Sequence, residues 1–115
     1  MDYALAKALK DAGFHQGGNG TRVAPPDKIV VRRDDFAYVP TLEELIGSLP
    51  DVWLENRSKH EFMLARKFGK WFAAYIDDHQ EPAVLIDQGV GESPTEAVAR
   101  LWLALQEKRP PESDL

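Results

Sequence analysis

The side chains best suited to chemistry in this chain are a cluster of carboxylates around one histidine. Asp77, Asp78, His79 and Glu81 offer oxygen and nitrogen ligands on one short loop. A bound cation needs three or more such groups to converge, and their spacing matches neither an EF-hand loop nor a zinc signature. The cluster is therefore interpreted as a solvated turn, and the sequence predicts no metal site and no cofactor.

Nucleophilic and acid–base catalysis find no better support. The chain has no cysteine, and none of its serines stands in the sequence context of a nucleophile elbow. No two of the histidines lie within helical reach of one another. No pair of carboxylates is set in an apolar stretch that would separate their pKa values. We therefore predict a protein without catalytic residues.

A local reversal of charge runs from residue 57 to residue 70, in a chain whose formal net charge is −5. Its cations alternate with aromatic residues, which is the composition of a single-stranded nucleic-acid platform, although a solvated outer face of a strand gives the same string. The negative total charge opposes binding to phosphate backbones. The solvated face is the stronger interpretation of this stretch, followed by protein contact and then by nucleic-acid contact. The residues predicted to carry the contact are Arg66, Lys67 and Lys70.

The element that organises the fold is a C-terminal helix. Ser93 is placed to cap its first turn, Pro94 suits the first helical position, and Glu96 completes a capping box. An apolar stripe at helical spacing predicts that one side packs on a sheet. The stripe is formed by Val98, Leu101, Trp102 and Leu105.

The opposite side of this helix carries one apolar residue in a charged row. Glu96 and Arg100 are spaced for an ion pair on successive turns, and Leu103 stands beside them. Single exposed leucines usually need no explanation. Leu103 is nevertheless kept as a candidate partner or dimer contact.

The remaining elements follow from local signals. Asp2 and the capping box at Thr41 each begin an amphipathic helix, ending at Gly13 and near Pro50. Strands are predicted over 61–68, 71–76 and 83–87, with a tight turn at Gly69 and Lys70. The sequence predicts an α+β fold with two layers. It comprises a three-stranded antiparallel meander packed on helices, together with an extra N-terminal helix and a long loop.

The long loop covers residues 15–28 and is rich in glycine. Its run from Gly17 to Thr21 has neither the Walker nor the Rossmann spacing, so it is interpreted as a flexible or hairpin-forming loop rather than a phosphate cradle. Ile29 to Val31 then form a short β-type run, and residues 36–39 form another.

Composition predicts one soluble cytoplasmic domain. A chain of 115 residues is a common size for a domain with its own core. We assign residues 1–109 to that domain and 110–115 to a flexible tail. Lack of cysteine fits a reducing compartment. Apolar runs fall far short of the roughly 20 residues that cross a bilayer, and Asp2 stands where a signal peptide carries positive charge. We therefore expect no membrane contact.

Four stretches resemble small uncharacterised proteins encoded by phages and prophages: residues 5–14, residues 38–46 (YVPTLEELI), a strand pair around Gly69-Lys70-Trp71, and residues 92–105 (ESPTEAVARLWLAL). The resemblance implies a phage or prophage origin, and its motifs contain no catalytic residue. The order of second helix, three strands and last helix is similar to the double-stranded-RNA-binding domain. Here Glu92 and Glu96 at the start of the last helix would repel phosphate.

Two hypotheses follow. In the first, the chain is a non-enzymatic phage protein that binds a host or phage protein, for example to inhibit a host defence complex. In the second, it is a nucleic-acid-binding module that uses Arg66, Lys67 and Lys70.

Overall fold

The structure, a computed structural model, describes residues 1–29, 31–49, 52–55, 58–77 and 84–108. Side chains are described for the same residues except 52–55, 58–60, 77, 84–86 and 108. A single 3₁₀ turn, Arg33–Asp35, accompanies the regular elements within these ranges. In chain order the elements are α1 (Tyr3–Asp11), β1 (Thr21–Val23), β2 (Ala37–Val39), α2 (Leu42–Gly47), β3 (Val52–Glu55), β4 (Ser58–Lys67), β5 (Lys70–Asp77), β6 (Val84–Gly91) and α3 (Pro94–Lys108).

All three helices begin at the predicted caps. In each, a side-chain oxygen of the cap accepts a hydrogen bond from a backbone N–H of the first turn, which satisfies a donor that has no partner within the helix. The bonds run from Leu5 N to Asp2 Oδ1 (2.9 Å), from Glu44 N to Thr41 Oγ1 (3.2 Å) and from Glu96 N to Ser93 Oγ (3.2 Å). The local signals were therefore sufficient to fix these helix starts.

The predicted α+β class is confirmed. Strands β3, β4, β5 and β6 form an antiparallel meander in that order, and β1 pairs antiparallel with β2 in a second, two-stranded sheet. The meander has one strand more than predicted, since residues 52–55 form β3. Strand β4 begins earlier than expected, at Ser58, and so provides a partner for β3, with Val52 opposite Glu61.

The predicted strand over residues 29–31 is wrong in its described part. Ile29 and Val31 lie outside any strand, and the side chain of Ile29 is fully exposed. The partner of β2 is instead Thr21–Val23, with Arg22 opposite Tyr38. A run of β-branched residues favours extended backbone, but it becomes a strand only where a second strand offers hydrogen bonds.

Helix α3 lies directly on β6. A Cβ atom at Gly89 would overlap the carbonyl oxygen of Ala97 and the amide nitrogen of Leu101. Gly89 therefore stays inside the strand and lets the helix backbone approach the sheet. Strand β6 runs to Gly91, beyond the predicted end at residue 87, because its pairing with β5 continues as far as Trp71 opposite Gly91.

The rest of the buried surface of α3 meets the N-terminal elements. Trp102 packs edge-to-face on Phe14, with ring centroids 5.0 Å apart and planes at 78°. Phe14 reaches this place because its N–H donates to Leu9 O (2.9 Å) as the chain leaves α1. The apolar stripe predicted to cover a sheet is thus shared between the sheet and the α1–α2 region. The core includes Leu5, Leu9, Leu45, Tyr75, Val98, Leu101 and Leu105.

Candidate functional site

Strands β4 and β5 are joined by a two-residue turn made of Phe68 and Gly69. Lys67 pairs with Lys70 across the turn, and φ is positive at both turn residues, +52° at Phe68 and +74° at Gly69. These are the signs of a type I′ hairpin, whose twist matches that of the strands. The predicted turn at Gly69 and Lys70 is therefore wrong by one residue, which moves Phe68 from the end of a strand to the end of the hairpin.

Phe68 is an unusual residue for this place. In the described part of the chain it is the one residue other than glycine with a positive φ, a region that costs an ordinary side chain roughly 1–2 kcal/mol. Its ring gains no burial in exchange, since 96% of the residue is exposed. Turns of this type favour asparagine followed by glycine. The folded chain alone therefore gives no reason for phenylalanine here.

Three cations lie next to this turn, with Lys67 and Lys70 on one face of the hairpin and Arg66, which is paired with Trp71, on the other. Arg66, Lys67 and Lys70 are all exposed, and among the described residues none of them forms an ion pair. Lys67 and Lys70 are directly opposite each other, an arrangement in which like charges destabilise a sheet. We call residues 66–70 the hairpin tip. The tip carries three positive charges and no negative one, in a chain of net charge −5.

The tip continues into an apolar strip. Alternation along the strands puts Lys67 and Lys70 on the same sheet face as Ala65 and Phe72, which are paired and half-buried. The opposite face holds Trp71, which packs against the core. The tip thus offers an aromatic ring, exposed cations and adjoining apolar surface to a partner.

Leu103 lies apart from this surface. It is half-buried, packs against the core, and borders a shallow depression between α1 and α3. The described residues that share the depression are Ala8, Asp11, Ala12, Gln106 and Glu107. The structure therefore brings Arg66, Lys67 and Lys70 together at one end of the hairpin, whereas Leu103 remains a separate candidate contact. The neighbouring pair predicted between Glu96 and Arg100 is present, at 3.6 Å.

The glycine-rich loop, residues 15–28, forms a hydrogen bond with the carboxylate of Glu44 in α2. Glu44 Oε1 accepts hydrogen bonds from the Tyr38 hydroxyl (2.6 Å) and from Thr41 N (2.9 Å), and Oε2 accepts one from Asn19 N (3.0 Å). Gly20 N donates to the Tyr38 oxygen (2.6 Å). Two amides that a phosphate cradle would need are thereby occupied.

These bonds fix the charge of Glu44. The hydrogen bond from Tyr38, followed by the backbone amide of Thr41, lowers the pKa of the Glu44 carboxyl below its ordinary value. Burial, together with the bond to Glu44, raises the pKa of the Tyr38 hydroxyl. The pair therefore holds a neutral phenol against an ionised carboxylate at neutral pH.

Part of the sequence interpretation lies outside the described residues. This applies to the side chains of Asp77, Asp78, His79 and Glu81, to residue 57 of the basic stretch and to the tail 110–115. Within the described ranges no group of three or more His, Asp or Glu residues could hold a metal ion. No helix in those ranges is long and apolar enough to cross a membrane.

The protein is thus a small α+β domain, and the surface of its described residues includes a basic, aromatic hairpin tip. Comparison of the chain with protein-family models, curated proteins and solved structures finds no match.

Proposed function

We propose that this protein is a non-enzymatic binding protein whose hairpin tip contacts another protein. One observation carries the proposal: Phe68 is almost fully exposed while its backbone adopts a left-handed conformation. A residue that costs folding free energy and gains no burial is explained if it is buried when a partner is bound. The strained backbone of Phe68 therefore suggests that this residue serves a function other than folding.

The chemistry of the tip indicates what the partner offers. Burying one phenylalanine side chain yields roughly 1.5–3 kcal/mol, enough to make Phe68 the anchor of a small interface if the partner has an apolar pocket. Arg66, Lys67 and Lys70 then require acidic groups around that pocket. Arginine binds carboxylates in a bidentate manner, whereas exposed lysines mainly increase the rate of encounter.

A protein suits this tip better than a nucleic acid. The tip has three cations, and the rest of the chain brings the net charge to −5. The start of α3 adds Glu92 and Glu96 to the surface. The resemblance to phage- and prophage-encoded proteins makes a bacterial host protein, such as a component of a defence complex, the first partner to test.

The experiment compares three tagged forms of the full chain as bait in bacterial host lysate. Phe68→Asn removes the ring and supplies the residue that the turn prefers. Ile29→Asn is the matched control, because Ile29 is also a fully exposed apolar residue. We expect a protein that is retained by the wild type and by Ile29→Asn and is lost with Phe68→Asn. Identical sets of captured proteins for all three baits would refute the proposal.

Single-stranded nucleic acid is the second candidate, favoured by the same ring, because bases stack on exposed aromatic side chains. Fluorescence anisotropy with a labelled oligothymidylate at low salt tests it. Three phosphate contacts would give a slope of log affinity against log salt of about −2. Binding with that slope, lost in Phe68→Asn, would replace the protein partner by a nucleic acid. No binding at low salt would eliminate this candidate.

A further inference from the structure

A cavity of about 330 Å³ opens where the end of α1, the end of α2 and the middle of α3 meet. This volume is at the lower end of the range for small-molecule sites. Nothing in the proposed contact at the hairpin tip uses it, and none of the tip residues lines it. Its lining residues are Gly13, Phe14, His15, Gly17, Glu44, Gly47, Ser48 and Trp102.

Among the described residues, one acidic side chain lines this cavity. Glu44 contributes a carboxylate whose pKa is lowered by its hydrogen bonds, and no lysine or arginine is among the described lining residues. Gly13 lies two residues beyond the end of α1, and Gly47 is the last residue of α2. The cavity therefore lies at two helix C-termini, the ends at which the backbone dipole favours cations.

Two aromatic rings form the apolar wall. Phe14 and Trp102 are in edge-to-face contact, which holds both rings in place. Each is largely buried, with 7% and 8% of the residue exposed. A cation over an aromatic ring is attracted by the ring quadrupole, most strongly by tryptophan, and the attraction grows when the site is shielded from water.

The hydrogen bonding of Glu44 selects among cations. Its Oε1 already accepts two bonds and its Oε2 accepts one. The carboxylate thus provides negative field but little free hydrogen-bonding capacity. A guanidinium or primary ammonium would leave several N–H donors unpaired in this apolar cavity, which is costly. A quaternary ammonium has no N–H donor and needs only field and aromatic contact.

We propose that this cavity binds a small quaternary ammonium ligand, with Glu44 supplying the charge and Phe14 and Trp102 the aromatic wall. Binding would be independent of the hairpin tip. The proposal therefore stands or falls separately from the proposed protein contact.

The decisive experiment compares choline with 3,3-dimethylbutan-1-ol, its neutral isostere, on the wild-type protein at pH 8. Binding is followed by calorimetry and by the NMR signal of the Trp102 indole N–H. We expect choline to bind at least tenfold more tightly than the isostere and to shift that signal. Equal affinity for the two compounds, or no binding of either, would overturn the proposal. Because this comparison uses the wild type, it is decisive even if a variant fails to fold.

Variants then locate the charge. Glu44→Gln keeps the size of the side chain, and Glu43→Gln is a matched control, since Glu43 is the exposed neighbour on the same helix. We expect choline affinity to fall at least tenfold in Glu44→Gln and to stay within twofold of wild type in Glu43→Gln. The Phe68→Asn variant should bind choline as the wild type does. Equal losses in the two glutamine variants would contradict a site at Glu44.

Discussion

The contact of α3 with β6 and the tip of the β4–β5 hairpin differ in how well their residues suit the folded structure. In the contact, each residue suits its place: Gly89 leaves room for the helix, and Ala97 and Leu101 are fully buried against it. At the tip, Phe68 adopts a backbone conformation that its side chain disfavours, and Lys67 stands opposite Lys70. Folding stability accounts for the first region and not for the second. Local choices that oppose the fold are expected at functional sites, so the difference favours the tip as the binding surface.

Replacing Gly89 by alanine should have the largest effect on stability. The added Cβ would overlap backbone atoms of α3, and no side-chain rotation can relieve such a clash. We expect the free energy of unfolding to fall by about 3 kcal/mol, the upper end of overpacking costs. Urea unfolding followed by tryptophan fluorescence measures this loss.

Gly47→Ala is the matched control for that prediction. Gly47 is the last residue of α2, and a Cβ there would meet nothing within 4 Å. Alanine should therefore stabilise the protein by about 0.5–1 kcal/mol through the reduced freedom of the unfolded chain. If both variants had the same stability, the close contact between α3 and β6 would be refuted.

Phe68→Asn should change stability in the opposite direction. Asparagine tolerates the left-handed conformation better than phenylalanine, and it is favoured in the first position of this turn. We expect a gain of about 1 kcal/mol, or roughly 4 °C in Tm, from a substitution that also removes partner binding. Ile29→Asn, at a fully exposed site outside any strand, should change neither. A less stable Phe68→Asn variant would show that Phe68 serves the fold.

The sequence predicted best those features that depend on neighbouring residues. Asp2, Thr41 and Ser93 cap the helices because each has its partner N–H three residues further on. Neighbouring residues did not predict that Gly89 lies in a strand. A glycine near a helix start looks like a turn signal, and only the packing of α3 shows that it belongs to β6.

The position of the turn between β4 and β5 also could not be predicted from neighbouring residues alone. Gly69 belongs to either possible turn, Phe68-Gly69 or Gly69-Lys70, and composition favours the second because it keeps phenylalanine out of the turn. The choice between them is made by pairing over the whole length of β4 and β5, which puts Lys67 opposite Lys70. Register is a property of two strands, and a single run of residues does not contain it.

The candidate sites were predictable to different degrees. The cations Arg66, Lys67 and Lys70 are adjacent in sequence, so composition alone revealed them. The cavity was missed because Phe14, Glu44 and Trp102 come from three separate elements. No local pattern links them, since their proximity depends on how α1, α2 and α3 pack.

Lys70→Glu should produce a smaller effect on stability than Phe68→Asn. It converts the like-charged pair with Lys67 into an opposite-charged pair, which contributes about 0.5 kcal/mol across two strands. The gain should shrink at high salt, while binding to an acidic partner is weakened. Thermal melts at low and high salt measure the first effect.

Arg33→Glu is the control for Lys70→Glu. It changes the net charge equally at an exposed residue outside both sheets. If it stabilised the protein as much as Lys70→Glu, the effect would reflect total charge rather than the strand pair.

The smallest predicted effect concerns the pH dependence of stability at Glu44. Its pKa in the folded protein is lowered, chiefly by the hydrogen bond from Tyr38. A lowered pKa means that the unfolded chain binds a proton first as pH falls. The stabilisation is therefore present above the ordinary carboxyl pKa and is lost as pH falls through the folded-state value.

Tyr38→Phe removes that hydrogen bond, so the loss of stability between pH 6 and pH 3 should be shallower than in the wild type. Urea unfolding across this range measures the slope. Tyr3→Phe is the control, since Tyr3 lies in α1, away from this carboxylate, and should leave the slope unchanged. Equal slopes in all three proteins would show that the hydrogen bond from Tyr38 does not lower the pKa of Glu44. A shallower slope in Tyr38→Phe alone would show that the hydrogen bond from Tyr38 in β2 lowers the pKa of a carboxylate of α2 that lines the cavity.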